Sequence, residues 1–455
     1  MSDRRRLADL ARVEPWLHSP LGPAMTSRWT EPLLLHAVTR WYFPLSRLWA
    51  MAEVDDPALH ELRPRTMTPG KLDRAIAAVA DARRDAAEAA RRWEDALFSS
   101  GCRDAEALRQ REAERRAAAH RFNLTRRYFL PLRTRLASSI DWAIVPEADV
   151  TARWQAALAN PQIAYRGLPP ANPPQQSASI AGPYGEESWL RFPSPWLNDT
   201  VLAHVYTPAK ATDPPTLIYG HGVGVETEQW DGAIEEAAGL ARLGVRVVRA
   251  EAPWHGRRRP PGSFGGEPMF ARGPDGSLDM MAAQSSEIAG MVAWARATSG
   301  GPVAIGGMSL GALCAQLVVD HAKSWPTALR PDAAILCGTC DRLDAVLQQG
   351  TLPLAIGLPQ ALALNGWTVQ GLERWRPLLE PRGEPAVDPA NLVMLVGRFD
   401  RVMPYAHACA MAARWRVPPE NLFARAQGHF GLALGLVRDP APMHRLAEIL
   451  RRLAG

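Results

Sequence analysis

Three side chains that together could attack a carbonyl carbon stand in separate parts of the chain. They are Ser309 in Gly307-Met308-Ser309-Leu310-Gly311, Asp400 in Gly397-Arg398-Phe399-Asp400-Arg401-Val402-Met403-Pro404, and His429 in Gln427-Gly428-His429-Phe430. A serine hydroxyl is a weak nucleophile at neutral pH. A histidine that accepts its proton activates it, and a carboxylate fixes the imidazole tautomer and stabilises the imidazolium that forms. Each short pattern is common by chance. Their order, serine then acid then histidine, each following an apolar run, gives them joint weight.

Acyl transfer also needs donors aimed at the negative charge that develops on the carbonyl oxygen. Tyr219-Gly220-His221-Gly222-Val223-Gly224 supplies glycine-rich backbone just after another apolar run. The Leu310 amide is assigned as one donor and the Val223 amide as the other, with Gly222 as the alternative. His221 is read as holding the loop, not as a second base.

These groups require a scaffold that brings several strand ends together. From residue 188 onward, short β-like runs alternate with helical ones. Residues 188–192 and 200–206 predict an opening hairpin, and 216–219, 245–249, 303–305, 333–336, 392–396 and 422–424 predict central strands. Helical stretches are expected at 226–243, 279–298, 310–321 and 404–415. Such alternation implies a mainly parallel sheet with helices on both faces, and functional residues at the carboxyl ends of its strands. Ser309 then sits in a sharp strand-to-helix turn, where flanking glycines avoid Cβ clashes between closely approaching backbones.

His-Gly-x-Gly, Gly-x-Ser-x-Gly, Asp-x-Val-x-Pro and Gly-His, over about residues 185–455, resemble the α/β-hydrolase superfamily. The expected fold class is therefore α/β, an α/β-hydrolase sheet with a small helical lid and an amino-terminal all-helical region. The loop Glu251-Ala-Pro-Trp-His-Gly-Arg-Arg-Arg-Pro260 is similar to the E-x-P-x-x-G-x-R-x-P loop of the branch known as α/β-hydrolase domain-containing protein 18. That branch resemblance implies no substrate. Trp254, His255 and Arg257 of this loop are the candidate substrate contacts, since adjacent arginines can bind a carboxylate or phosphate. Pairing of Arg257, Arg258 and Arg259 with acidic residues of the helical region is the favoured alternative, because neighbouring side chains in a loop point different ways.

Three regions are expected: an amino-terminal helical region over 1–159, a proline-rich linker or strap over 160–187, and the catalytic domain over 188–455. Residues 71–98 and 104–130 are rich in Ala, Arg, Glu and Leu, and Ser99-Ser100-Gly101 divides them, which predicts a helical hairpin with solvated charges. Trp41, Tyr42, Phe43, Tyr128 and Phe129 lie beside arginines in two bracketing stretches. Docking onto the catalytic domain is preferred for them over insertion into a membrane interface. Residues 341–388 carry apolar helical segments that could form the lid, line an acyl or alcohol pocket, or bury against the amino-terminal helices.

Composition excludes several classes. Hydrophobic residues at 47% and charged ones at 22% suit a globular chain, not a disordered one. A net charge of +5 over 455 residues, with no nucleic-acid-binding motif, gives no expectation of nucleic acid as a partner. No apolar stretch of spanning length and no secretory signal is expected. The cysteines Cys102, Cys314, Cys337, Cys340 and Cys409 are few and scattered, which fits a reducing compartment and a cytoplasmic location. Cys337-x-x-Cys340 has no accompanying pair or histidine cluster and is read as structural. No metal and no cofactor are expected. The expected reaction is hydrolysis of a small-molecule carboxylic ester through an acyl-serine; acyl transfer, amide hydrolysis and polyester depolymerisation would use the same residues, and a non-catalytic interaction scaffold is the contrasting class.

Overall fold

Runs of valine, isoleucine, leucine and alanine build a ten-stranded sheet in the computed structural model, which describes residues 17–20, 22–99, 104–168, 172–209, 211–225 and 237–455. The strands are β1 (Gln175–Gln176), β2 (Ile180–Gly182), β3 (Gly185–Pro193), β4 (Thr200–Thr207), β5 (Thr216–Gly220), β6 (Arg246–Ala250), β7 (Val303–Met308), β8 (Ala333–Cys337), β9 (Leu392–Gly397) and β10 (Leu422–Arg425). Their order across the sheet is β1-β3-β4-β6-β5-β7-β8-β9-β10, with β2 also paired to β3. Pairing is parallel from β6 through β10 and antiparallel at the β1 to β4 end, including β4 with β6. Every residue of β5, β7, β8 and β9 is buried, as parallel strands covered on both faces must be.

Strand geometry sends alternate side chains to opposite faces. Ile218, Val248, Ile305, Leu336 and Met394 join one core, and Leu217, Val247, Ala304, Ile335 and Val393 join the other. The main helices are α1 (Glu31–Ala37), α2 (Phe43–Glu53), α3 (Pro69–Phe98), α4 (Ala105–Leu124), α5 (Glu147–Ala159), α6 (Pro274–Thr298), α7 (Leu310–His321), α8 (Tyr405–Arg414), α9 (His429–Arg438) and α10 (Ala441–Ala454). Helices α6 and α7 cover the first face, while α9 and α10 contribute Leu432, Leu446 and Leu450 to the second. Most of the helix expected over 226–243 lies outside the described residues, as does Cys102; its last part, Ala238–Leu243, is a 3-10 helix.

The expected hairpin is α3 and α4. Leu108 near the start of α4 packs with Trp93 and Leu97 near the end of α3, and Trp93 meets Trp189 of β3 edge-on at 5.2 Å. Most of its ion pairs are exposed, as with Arg91 and Glu88. Arg115 and Glu112 differ, being buried with two 2.8 Å hydrogen bonds. Among the bracketing aromatics, Phe43 and Phe129 are buried and Tyr42 is half-buried, whereas Trp41 and Tyr128 are exposed. A π-helical turn, Val38–Tyr42, joins α1 to α2. Pro44, one residue into α2, lacks the N–H an α-helix would use and its ring crowds the carbonyl four residues back, which favours this wider turn. Within residues 160–187, β1 and β2 pair with β3, and the Ala178 amide donates to the Leu97 carbonyl of α3 at 2.8 Å. Among the described residues, no helix is long and apolar enough to cross a membrane.

Candidate active site

A sharp elbow forms where β7 runs into α7. Ser309 has φ 54° and ψ −112°, a conformation few residues with a Cβ adopt, and its amide is anchored to the Cys337 carbonyl at 2.9 Å. The turn closes because Gly220, Gly307 and Gly311 meet without side chains. A Cβ on Gly311 would stand 2.2 Å from the Gly220 carbonyl oxygen, and one on Gly307 2.6 Å from the same atom. The hydroxyl is thereby raised at the carboxyl edge of the sheet.

Ser309 Oγ lies 2.9 Å from His429 Nε2, to which it donates when the ring is neutral. His429 Nδ1 donates to Asp400 Oδ2 at 2.8 Å. The other oxygen of Asp400 accepts the Val402 and Met403 amides at 2.9 and 2.7 Å, so the carboxylate is fixed by the turn that follows β9. The structure thus brings together the three residues expected to do the chemistry. Burial disfavours a charged imidazole, but the charge and hydrogen bond of Asp400, with a smaller contribution from Glu31, outweigh it and hold His429 above the ordinary histidine range. If His429 must be neutral to act, the acid limb of kcat/KM stands above the usual imidazole value of about 6.5. Asp400→Asn is expected to move that limb to lower pH and to lower kcat by about 10⁴-fold; a pH–rate profile checks both.

His429 is the first residue of α9, whose leading amides have no acceptor within the helix. Glu31 of α1 takes two of them: Oε1 accepts the His429 amide at 2.8 Å and Oε2 the Phe430 amide at 3.2 Å. Burial, the largest influence, raises the Glu31 pKa. This residue was not foreseen from sequence, where a glutamate opening a helix is an ordinary choice.

The loop after β5 is held by two histidines. His221 donates through Nδ1 to the Gly222 carbonyl at 2.8 Å, accepts the Ala252 amide at Nε2 at 3.1 Å, and its own carbonyl accepts the Gly311 amide at 3.0 Å. His255 is fully buried; it donates through Nδ1 to the Pro253 carbonyl at 2.8 Å and accepts the Gly224 amide at Nε2 at 3.2 Å. Burial pushes its pKa down to about 4, which keeps Nε2 available as an acceptor. A Cβ on Gly222 would sit 3.7 Å from Ser309 Cβ, so the loop crosses directly over the elbow. Val223 and Leu310 both wall the pocket beside Ser309, and the Leu310 amide is at the first position of α7, where no intrahelical acceptor exists.

Trp254, His255 and Arg257 are not walls of that pocket. Their contacts are within their own loop and with neighbouring elements. Trp254 is buried with φ 60°. Arg257 bonds Glu251 and reaches Glu94 of α3 at 3.6 Å; Arg258 grips Asp199 and Glu287; Arg259 grips Glu53 of α2 and stacks over Trp49. Three consecutive side chains diverge to separate sets of acidic partners, and the ties to Glu94 and Glu53 reach the amino-terminal helices.

The pocket at Ser309, about 50 Å³, is apolar: Met269, Phe270, Met281, Leu313 and Met403 line it together with Leu343, Val346 and Leu352 from the segment between β8 and β9. That segment is a series of short helices. It also meets the amino-terminal region, as Trp367 Nε1 donates to the Val145 carbonyl at 2.9 Å. Cys337 and Cys340 are both buried and in no disulfide, and burial pushes the Cys340 thiol up to about 12.

Strand order, a serine in a left-handed elbow after β7, an acid after β9 and a histidine after β10 settle the architecture. The fold is that of the α/β-hydrolases. No protein-family model and no curated protein sequence matches the chain. Among solved structures, it is similar to a puromycin-hydrolysing peptidase of Mycobacterium tuberculosis at 17% identity and TM-score 0.42, over 58% of this chain but only 39% of the peptidase's length. It is also similar to a cold-adapted esterase from an Arctic intertidal metagenomic library (15% identity, TM-score 0.38, 60% of this chain and 97% of that one). A thermostable carboxyl esterase of Bacillus coagulans gives 14% identity and TM-score 0.39 over 59% of this chain and 99% of its own.

Proposed function

We propose that the chain is a serine hydrolase that cleaves a carboxylic ester of a moderately apolar substrate through an acyl-serine intermediate. The observation that carries this reading is the continuous relay Ser309 Oγ to His429 Nε2 at 2.9 Å and His429 Nδ1 to Asp400 Oδ2 at 2.8 Å, set in a strained elbow. In the proposed reaction His429 takes the Ser309 proton as Oγ bonds to the carbonyl carbon. The Leu310 and Val223 amides, with Gly222 as the alternative, receive the oxyanion. Collapse expels the alkoxide, protonated by His429, and a water activated by the same ring then releases the acid and restores Ser309.

The methionine, phenylalanine and leucine walls support an apolar acyl or alcohol group, with the helices between β8 and β9 acting as a lid. Acyl transfer, amide hydrolysis and polyester cleavage share these steps and differ in the group that attacks or leaves. The Glu251 to Pro260 loop supports placement in the α/β-hydrolase domain-containing protein 18 branch through its motif. Rates on p-nitrophenyl esters of increasing acyl length, with matched thioesters and anilides, test the reading. Saturable ester turnover, rising beyond acetate, is expected; ester turnover no faster than that of Ser309→Ala would refute it.

A further inference from the structure

The amino-terminal helices reach the reacting groups at two places. Glu31 of α1 accepts both leading amides of α9, and the Tyr42 hydroxyl, at the end of the π-helical turn, donates to the Gly224 carbonyl at 2.8 Å. The first contact is closely fitted. A Cβ on Gly428 would lie 2.4 Å from Glu31 Oε2, and one on Gly431 would lie 3.1 Å from the Thr26 carbonyl oxygen, so the loop before α9 and its first turn press on the 26–31 segment. His429 has backbone and ring constrained separately: the ring by Asp400 and Ser309, the backbone by Glu31.

We propose that Glu31 is a positioning residue, its carboxylate fixing the start of α9 so that the His429 ring stays seated between Ser309 and Asp400. This rests on the serine-hydrolase reading above. A carboxylate at the amino terminus of a helix is favoured by the partial positive charge of the exposed amides, and here it is buried against the residue that must carry a proton. The charged groups facing His429 among the described residues are Asp400 from the turn after β9 and Glu31 from α1, and the Ser309 hydroxyl of the elbow completes its polar surroundings. Arg28, one turn before Glu31, stacks on Trp29 and Phe399. Glu31 thus acts twice, by geometry and by placing negative charge beside the imidazolium. The amino-terminal region becomes part of the working site.

Glu31→Gln and Glu31→Ala in the full chain test this, with kcat, KM and the pH profile measured on p-nitrophenyl butyrate. Rates are expressed per site titrated by a fluorophosphonate. Glu31→Ala, which leaves two amides without their acceptor, is expected to lower kcat by about 10²-fold with little change in KM, the scale of loss that follows displacement of a catalytic group by about an ångström. Glu31→Gln keeps the shape and one acceptor, so its kcat falls less, by about tenfold. Its acid limb moves to lower pH because a negative charge beside His429 is gone. A purely structural role would reduce only the number of titratable sites. If Glu31→Gln keeps the wild-type kcat per site and an unmoved profile, Glu31 is not a positioning residue even though Ser309→Ala is dead. If Ser309→Ala labels and turns over like wild type, the hydrolase reading itself fails and this inference falls with it.

Discussion

Ser309→Ala is expected to lower kcat for short p-nitrophenyl esters by about 10⁶-fold, because removing the nucleophile of such a set costs about as much as removing all its members. The variant keeps the fold. Alanine loses only a hydroxyl oxygen, and the elbow is maintained by contacts that do not involve Oγ: the Ser309 amide on the Cys337 carbonyl, the Gly311 amide on the His221 carbonyl, and the three-glycine contact beneath the turn. Thermal unfolding within a few degrees of wild type is therefore the expected accompaniment. His429→Ala should be nearly as inactive, and the double variant no worse than either single one, since residues that act as a unit are not additive. A multiplicative loss in the double variant would mean that Ser309 and His429 contribute to separate steps.

Arg258→Met is expected to carry the largest stability cost among the polar substitutions, about 3–5 kcal/mol, the loss usual when one partner of a buried ion pair is removed. Arg258 and Glu287 are both almost wholly buried, and their guanidinium–carboxylate contacts are 2.6 and 2.8 Å. The same guanidinium holds Asp199 through 2.9 and 3.0 Å bonds and the Glu251 carbonyl at 2.9 Å. Removing it leaves the Glu287 carboxylate of α6, still bonded by the Ser194 hydroxyl at 2.7 Å, without its buried countercharge. A lowered melting temperature, by about 6–20 °C, is the measurement. Arg258→Met combined with Glu287→Leu is expected to recover part of the loss, because the uncompensated buried charge is then gone as well. If Arg258→Met melts with wild type, the Glu251 to Pro260 loop is not held by this pair.

The relay was legible in the sequence because each member sits in a local pattern created by its place in the fold. Glycines flank Ser309 since the turn has no room for side chains. Asp400 precedes Val402 and Met403, whose amides fold back on its carboxylate, and His429 follows a glycine where a helix starts. The central strands were legible for a similar reason, as continuous apolar runs suit strands covered on both faces. Contacts between distant segments leave no such pattern. Glu31 and His429 are 398 residues apart, and nothing at Glu31 distinguishes it from any acid in a first helical turn. His255, Arg257 and Trp254 looked like substrate contacts because the loop follows a strand end. None of the three walls the pocket: His255 is held by the Pro253 carbonyl and the Gly224 amide, and Arg257 by Glu251 and Glu94. The pocket walls Met269, Phe270 and Met281 were likewise hidden, since apolar residues in and before a buried helix read as core.

The most direct test of the central claim is covalent labelling with a fluorophosphonate followed by peptide mass spectrometry on wild type, Ser309→Ala and His429→Ala. One adduct per wild-type chain is expected, located on Ser309, with none on Ser309→Ala and much slower labelling of His429→Ala. An adduct elsewhere in the chain, or undiminished labelling of Ser309→Ala, would contradict it.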